Sequence, residues 1–196
     1  MQTYNIGIIG TAGRKDDASK LSIDIYRQMY KVARNFIKKY PNCKLISGGA
    51  AYADHLAVIL YLEKKCSNLL LHLPCRFYND QYFDIEDRNF RNNPGGTCNY
   101  YHRKFSQKLL PNINYSLTQL RDALLFCDST ISTGLFERNT KVAEDSNILL
   151  AFTFGNKGQL KYGGTKDTMD KFIAQKGIDN AYHFDLNSMK LYKVEK

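Results

Sequence analysis

Three glycine-bearing turns in the sequence have the composition of phosphate-binding loops. They are GTAGR at 10–14, SGGAAYAD at 47–54 and GGTKDT at 163–168, and each follows a predicted strand. Glycine lets a backbone approach a ligand closely, and free amides at the start of a helix attract phosphate. One such turn can serve chain geometry alone. Because the turns after parallel strands lie at one edge of a sheet, three together predict a site for a charged ligand there.

Charged side chains beside the first two turns fit such a site. Arg14 has the charge to pair with a phosphate or a carboxylate, or else it lies in solvent at the entry to a helix. Asp54 would either cap the following helix or accept hydrogen bonds from a ribose hydroxyl. The first turn has neither the GK[ST] of a nucleotide P-loop nor the GxGxxG spacing of a dinucleotide-binding fold. The sequence therefore predicts neither of these two kinds of nucleotide site.

Strands and helices that would position these turns alternate along the chain. Short apolar runs closed by glycine or proline predict strands, and an apolar period of 3.6 residues predicts helices. Strands are predicted at 3–9, 43–47, 68–74, 147–155 and 181–186, and helices at 18–40, 55–65, 138–145 and 166–175. This order predicts an α/β fold, three-layer and Rossmann-like, with a mostly parallel sheet.

Residues 75–135 interrupt the alternation. They are too rich in Tyr, Phe, Asn and Arg for a linker and include a predicted helix near 116–126. We expect an ordered insertion against the ligand edge, within one domain that spans residues 1–196.

An aromatic and basic run inside this insertion could select a ligand. It contains Tyr100, Tyr101, His102, Arg103 and Phe105. Planar faces combined with positive charge suit the stacking of a base and pairing with phosphate, and the alternative is a packed aromatic lid with exposed basic tips. His102 would be a general acid or base, or simply a surface histidine.

The composition is that of a globular protein, with 43% hydrophobic and 24% charged residues in a chain of 196. The apolar runs are too short to cross a bilayer and the N-terminus does not resemble a signal sequence, so we predict a cytoplasmic protein without a membrane partner. Five cysteines without a CxxC pair and four scattered histidines predict no metal site, and we expect no cofactor.

The formal charge of +9 raises the question of nucleic acid. The first fifty residues hold nine basic and three acidic side chains, and much of this excess falls on one predicted helix as a stripe typical of a solvated face. Residues 51–108 carry only +2, so a groove that tracks a nucleic-acid backbone is possible but not favoured. A homo-oligomer formed through the same helix is also possible.

Three segments in order, LISGGAAYADHLAV, ERNTKVAEDSNILLAFTFG and GGTKDT, resemble the SLOG superfamily. That superfamily includes the DNA-processing protein DprA, the cytokinin-activating LOG enzymes and the YpsA-like proteins. The resemblance implies a Rossmann-like domain that binds nucleotides or ligands derived from them.

The resemblance also assigns residues. GGAAYAD is similar to the GGAxGAD turn of YpsA-like members, with Tyr52 in place of a glycine. ERN at 137–139 is similar to the ERK of LOG enzymes, which implies that Arg138, with Asn139 beside it, contacts the phosphate or the base. GGT at 163–165 is similar to the GGxGT phosphate loop but lacks its proline and one glycine. LOG enzymes have acids at the second and third positions after the threonine, where this chain has Asp167 and Thr168.

These departures leave several functions open. Our first prediction is a sensor or binding domain for a nucleotide-derived small molecule. Its phosphates would be held by backbone amides of Gly10, Thr11, Gly48, Gly49, Gly163, Gly164 and Thr165. Arg14 and Arg138 would pair with them, and Asp54 or Asp167 would contact the ribose.

The alternative is an enzyme of the LOG type, a nucleoside 5′-monophosphate phosphoribohydrolase that cleaves the N-glycosidic bond. This reaction needs a carboxylate near the anomeric carbon, for which Asp167 and Asp54, and after them Glu137, are the candidates. Binding of single-stranded nucleic acid ranks third.

Overall fold

A computed structural model of the protein describes residues 4–84, 93–109, 111–156 and 158–195. The strands in these ranges are β1 Asn5–Gly10, β2 Lys44–Ser47, β3 Asn68–Leu73, β4 Arg76–Tyr78, β5 Gln81–Phe83, β6 Asp128–Ile131, β7 Ile148–Thr153, β8 Ala181–Asp185 and β9 Lys190–Lys193. The helices are α1 Asp17–Lys20, α2 Ile23–Ile37, α3 His55–Leu62, α4 Pro94–Leu109, α5 Tyr115–Leu124, α6 Leu135–Asp145 and α7 Gly164–Lys176.

Seven strands form one sheet in the order β6-β3-β2-β1-β7-β8-β9. Every neighbouring pair is parallel except β8 and β9, which are antiparallel. The chain builds outward from β1 through β2 to β3 and later returns to place β7 on the other side of β1. Ligands of open α/β sheets bind where the strand order reverses in this way, so the carboxyl ends of β1 and β7 mark the expected position.

Alternate residues of the central strands face two separate cores. Ile6 and Ile8 of β1 pack with α2 to α5 on one face, whereas Ile9 packs with α6 and α7 on the other. All six residues of β7 are buried, which explains why this strand reads as a continuous apolar run. The α/β, three-layer, Rossmann-like fold with a mostly parallel sheet is therefore confirmed.

The predicted helix over 18–40 is wrong as a single element, because the chain forms α1 and α2 with a break between them. Leu21 is extended at the break, with φ −65° and ψ 126°, and its side chain is fully buried. Ser22 then starts α2, where its hydroxyl oxygen accepts a hydrogen bond from the Ile25 amide at 3.3 Å. The apolar period continues through the break, so it gave no sign of the interruption.

The segment inserted after β3 is ordered across its described residues and ends in a strand of the main sheet. It contains a β4–β5 hairpin, α4 and α5, and then β6, which pairs in parallel with β3. All four residues of β6 are exposed, so it has no apolar pattern from which a strand would be predicted. The antiparallel edge strand β9 was not predicted for the same reason, because three of its four residues are exposed.

No helix in the described ranges combines the length and the apolar character that crossing a bilayer requires.

Candidate functional site

A cleft of about 350 Å³ opens at the carboxyl ends of β1 and β7. Its walls are the loop after β1, the turn before α3, one side of α6, and the loop that leads into α7. Of the predicted ligand residues, the lining includes Gly10, Thr11, Arg14, Asp54, Arg138, Asn139, Gly163, Gly164 and Thr165. Gly48, Gly49 and Asp167 do not line it. The structure therefore brings together residues from all three motifs.

The centre of the cleft is an ion pair between Arg138 of α6 and Asp54 at the start of α3. Arg138 Nη1 donates to Asp54 Oδ2 at 2.9 Å, and the two side chains are only 12% and 5% exposed. Burial raises the pKa of the Asp54 carboxyl, and the guanidinium of Arg138 and the amides of Ala50 and Gly10 partly offset this effect. Asp54 makes no side-chain hydrogen bond that caps α3, so the capping interpretation is wrong. Its carboxylate instead fixes Arg138.

The second glycine turn positions this arginine, which corrects the prediction that its amides face phosphate. A Cβ on Gly48 would overlap Arg138 Nη1 and lie 2.6 Å from Arg138 Cδ, so only glycine lets the side chain cross the backbone here. Gly49 has φ +67°, and its amide donates to Ser47 Oγ at 3.3 Å. The group that approaches the backbone closely at Gly48 is therefore the Arg138 side chain and not a phosphate.

The amides of the first turn are also engaged within the protein. The Thr11 amide donates to the Phe152 carbonyl at 2.8 Å, and the Gly10 amide contacts the Asp54 carboxylate. The predicted role of these two amides in binding phosphate is therefore wrong, because the loop uses them to join β1 to β7 and α3. Both residues still line the cleft.

Two residues that the sequence analysis did not single out link this turn to the loop before α7. Asp17 is buried, and its carboxylate accepts from the Thr11 hydroxyl at 2.6 Å and from Lys161 Nζ at 2.7 Å. Asp17 follows another acid and a basic pair in the sequence, so it resembled an ordinary residue at a helix start. Nothing in the local pattern connects it with a lysine 144 positions away.

The third turn leads directly into α7. The first helical hydrogen bond runs from the Asp167 amide to the Gly163 carbonyl at 3.0 Å, so the amides of Gly164, Thr165 and Lys166 precede it. Such amides lack a partner inside the helix and carry the positive end of its dipole. Since Gly163, Gly164 and Thr165 line the cleft, this helix start is the part of the site best suited to a phosphate.

The described residues that line the cleft carry more positive than negative charge. In the part of the chain that the structure describes, four basic residues line the cleft, namely Arg14, Lys15, Arg138 and Lys161, and two acidic residues line it, Asp17 and Asp54. The two acids pair with Lys161 and Arg138. Among the described residues that line the cleft, basic side chains therefore outnumber acidic ones by two.

The other two acids proposed for catalysis, Asp167 and Glu137, do not line the cleft. Asp167 accepts from Asn139 Nδ2 at 3.1 Å and from Lys171 Nζ at 2.9 Å, so it joins α6 to α7. Glu137 accepts from both the amide and the hydroxyl of Thr133 at 2.6 Å, and these bonds lower the pKa of its carboxyl to about 2. Glu137 therefore holds the start of α6.

The aromatic run of the insertion divides between the core and the surface. His102 and Phe105 are fully buried, and His102 Nε2 donates to the Gly49 carbonyl at 2.9 Å. Burial lowers the pKa of His102 to about 3. The two roles predicted for His102, a surface histidine and a general acid or base in the cleft, are therefore both wrong. Tyr100 and Tyr101 line an adjacent cleft beside α4.

No protein-family model matches the sequence. The "uncharacterized protein R261" of Acanthamoeba polyphaga mimivirus is 36% identical to it over 179 residues, which cover 87% of this chain and 92% of the viral protein. The chain belongs to the same family as that protein.

Proposed function

We propose that this member of the R261 family binds a phosphorylated nucleoside derivative in the cleft between β1 and β7, as a sensor or binding domain of the SLOG type. The observation that carries the proposal is the convergence of the α7 start on Arg138 and Arg14 in one cleft of about 350 Å³. Clefts of this size at the reversal of strand order are where α/β proteins hold nucleotides. The motifs quoted above supply the connection to SLOG.

In the proposed complex, the phosphate lies against the amides that begin α7. Arg138 faces it from α6, already held in place by Asp54 and Gly48, so little side-chain entropy is lost when the ligand binds. Arg14 and Lys15 contribute charge from the loop after β1. Asn139 lies beside this cluster, where its amide nitrogen is 3.4 Å from the Gly164 carbonyl.

The pairing of the acids favours binding over hydrolysis. N-glycosidic cleavage needs a carboxylate that can face the anomeric carbon, and Asp167 and Glu137 are bonded elsewhere. The observation in favour of the hydrolase alternative is Asp54, which lines the cleft and whose pKa burial raises, as in general acids. Its pairing with Arg138 supports an anchoring role instead.

The test measures binding and base release together. The purified protein would be titrated calorimetrically with the four nucleoside 5′-monophosphates, NAD-derived nucleotides and cyclic nucleotides, and each mixture then analysed by chromatography. We expect at least one ligand to bind and to be recovered intact. Absence of binding across the panel contradicts the proposal, whereas binding with release of free base assigns the hydrolase alternative.

Two substitutions at Gly164 test the helix start directly. Gly164→Pro removes one amide at the first helical position, where proline is tolerated, and we expect affinity to fall about tenfold, or about 1.4 kcal/mol. Gly164→Ala is the matched control, because it keeps the amide and its Cβ would lie at an ordinary 3.6 Å from Asn139 Nδ2. Equal affinities for the two variants would contradict a phosphate at this position.

A further inference from the structure

A second cleft, of about 580 Å³, lies between the loop after β1 and helix α4. Its lining includes Lys15, Tyr52, Tyr100, Tyr101, Lys104 and Lys108. The volume is within the roughly 300–1,000 Å³ typical of small-molecule sites. The proposed function does not use this cleft.

The lining of the second cleft combines aromatic faces with positive charge. The described residues that line it include three lysines and no acidic side chain. Tyr100 is 54% exposed, and Lys104 Nζ lies 5.8 Å from the centre of its ring. Aromatic faces stack on bases of any sequence, and ammonium groups beside them attract phosphate. A planar anionic group, such as a nucleotide, fits both properties.

The second cleft meets the first cleft, which is the one at the carboxyl ends of β1 and β7, along the loop after β1. Lys15 lines both of them. Arg14 lines the first cleft, and its guanidinium carbon lies 5.5 Å from the ring centre of Tyr101 in the second. The residues Asp17 and Ala18, which are adjacent in the chain, line the first and the second cleft respectively. One ligand that passes over this loop would therefore contact both clefts while its linking phosphate lies beside Arg14 and Lys15.

We propose that the second cleft binds the second nucleotide of a ligand that contains two nucleotides joined through phosphate. The inference rests on the proposed function, because the first cleft must hold the first nucleotide. Such a ligand has two bases and a bridging anion. Dinucleotides linked by pyrophosphate and dinucleotides linked by a phosphodiester both meet this description.

The experiment compares one nucleotide with two on the same protein. Each nucleoside 5′-monophosphate and its matched 5′-phosphorylated dinucleotide (pApA, pGpG, pCpC and pUpU) would be titrated by calorimetry, together with NAD and cyclic di-AMP. We expect a dinucleotide of one linkage to bind at least about tenfold more tightly than its monophosphate, because a second stacked base adds affinity. A gain with NAD would indicate a pyrophosphate-linked ligand, and a gain with pApA, its analogues or cyclic di-AMP would indicate a phosphodiester-linked one.

Variants on α4 then assign the gain to the second cleft. Tyr100→Ala should remove about tenfold of dinucleotide affinity and leave monophosphate binding unchanged, while Tyr100→Phe, which keeps the ring, should restore it. Lys104→Ala should also weaken only the dinucleotide. Arg103→Ala is the matched control, because this exposed residue of the same helix does not line the cleft.

The outcomes separate the two proposals. Failure of every ligand to bind contradicts the proposed function itself. A monophosphate that binds as tightly as its dinucleotide, or a Tyr100→Ala variant that weakens both equally, overturns only the inference about the second cleft. Oligonucleotides of two to eight residues would be titrated in the same way. An affinity that continues to rise with length would overturn the dinucleotide inference in favour of single-stranded nucleic acid.

Discussion

At the scale of single residues, Arg138 depends on two neighbours that resemble ligand contacts in the sequence. Gly48 gives it space and Asp54 gives it a partner. Both belong to a turn whose composition is that of a phosphate loop. The Gly49 amide of that turn is bonded within the protein, so in the proposed complex the turn would contribute through the guanidinium that it holds.

Substitution of Gly48 tests this dependence. Gly48→Ala places a Cβ where Arg138 lies, so the guanidinium must move and Asp54 is left buried without its main partner. We expect the free energy of unfolding to fall by about 2–4 kcal/mol, measured by urea denaturation, with loss of nucleotide binding. Gly164→Ala, whose Cβ meets no close neighbour, should change stability by less than about 1 kcal/mol. A loss at Gly48 no larger than that of the control would contradict the proposed geometry.

At the scale of elements, α4 is attached to the rest of the molecule through buried polar contacts as well as apolar ones. His102 donates to Gly49, and Phe105 packs against Tyr52 with ring centres 4.6 Å apart. The His102 ring also contacts that of His55 at the start of α3, with centres 5.6 Å apart. The helix that carries the second cleft is thus fixed against the turn that carries Asp54.

This attachment predicts a loss of stability in mild acid. Burial lowers the pKa of His102 to about 3 and that of His55 to about 4, below the value of about 6.5 in an unfolded chain. Below pH 6.5 the unfolded chain therefore takes up protons that the folded protein does not, and stability falls as pH falls. We expect each histidine to account for about 2 kcal/mol of loss between pH 7 and pH 5.

Urea denaturation of the wild type and of His102→Gln at both pH values measures this contribution. The variant will be less stable at pH 7, but its loss between pH 7 and pH 5 should be about 2 kcal/mol smaller than that of the wild type. An equal loss in both proteins would contradict this, because it would mean that His102 has the same pKa in the folded protein as in the unfolded chain.

At the scale of the whole molecule, the first cleft is closed by contacts between segments from opposite ends of the chain. The Lys161–Asp17 pair, at 2.7 Å, joins the loop before α7 to the segment after β1. Asp17 is buried while Lys161 is about one-third exposed. The pair therefore holds the loop that leads into α7 against the segment after β1.

Removal of this pair should loosen one wall of the cleft. For Lys161→Ala we expect amides at 158–165 to exchange with deuterium roughly fivefold faster, equivalent to about 1 kcal/mol of local stability, and nucleotide affinity to fall with them. Lys166→Ala, which loses only an exposed pair with Asp170, is the control. Unchanged exchange at 158–165 would show that other contacts hold the loop.

The class of fold and the edge of the sheet at which the first cleft lies could both be predicted from the amino-acid sequence. Buried strands such as β1 and β7 must be apolar along most of their length, and a crossover helix must carry an apolar stripe, so both leave a period in the sequence. Glycines after β1 and before α7 then marked the loops of the cleft. The exposed strands β6 and β9 leave no such period, and the sequence did not reveal them.

Which polar groups line the first cleft and which are bonded inside the protein depends on contacts between distant segments. Arg138 and Asp54 are 84 positions apart, and Lys161 and Asp17 are 144 positions apart. A hydrogen bond between such residues depends on the positions of whole strands and helices, and it imposes no spacing on the local sequence. For this reason the motifs identified the cleft, whereas the roles of Gly48, Asp54, Asp167 and His102 followed from the packed structure.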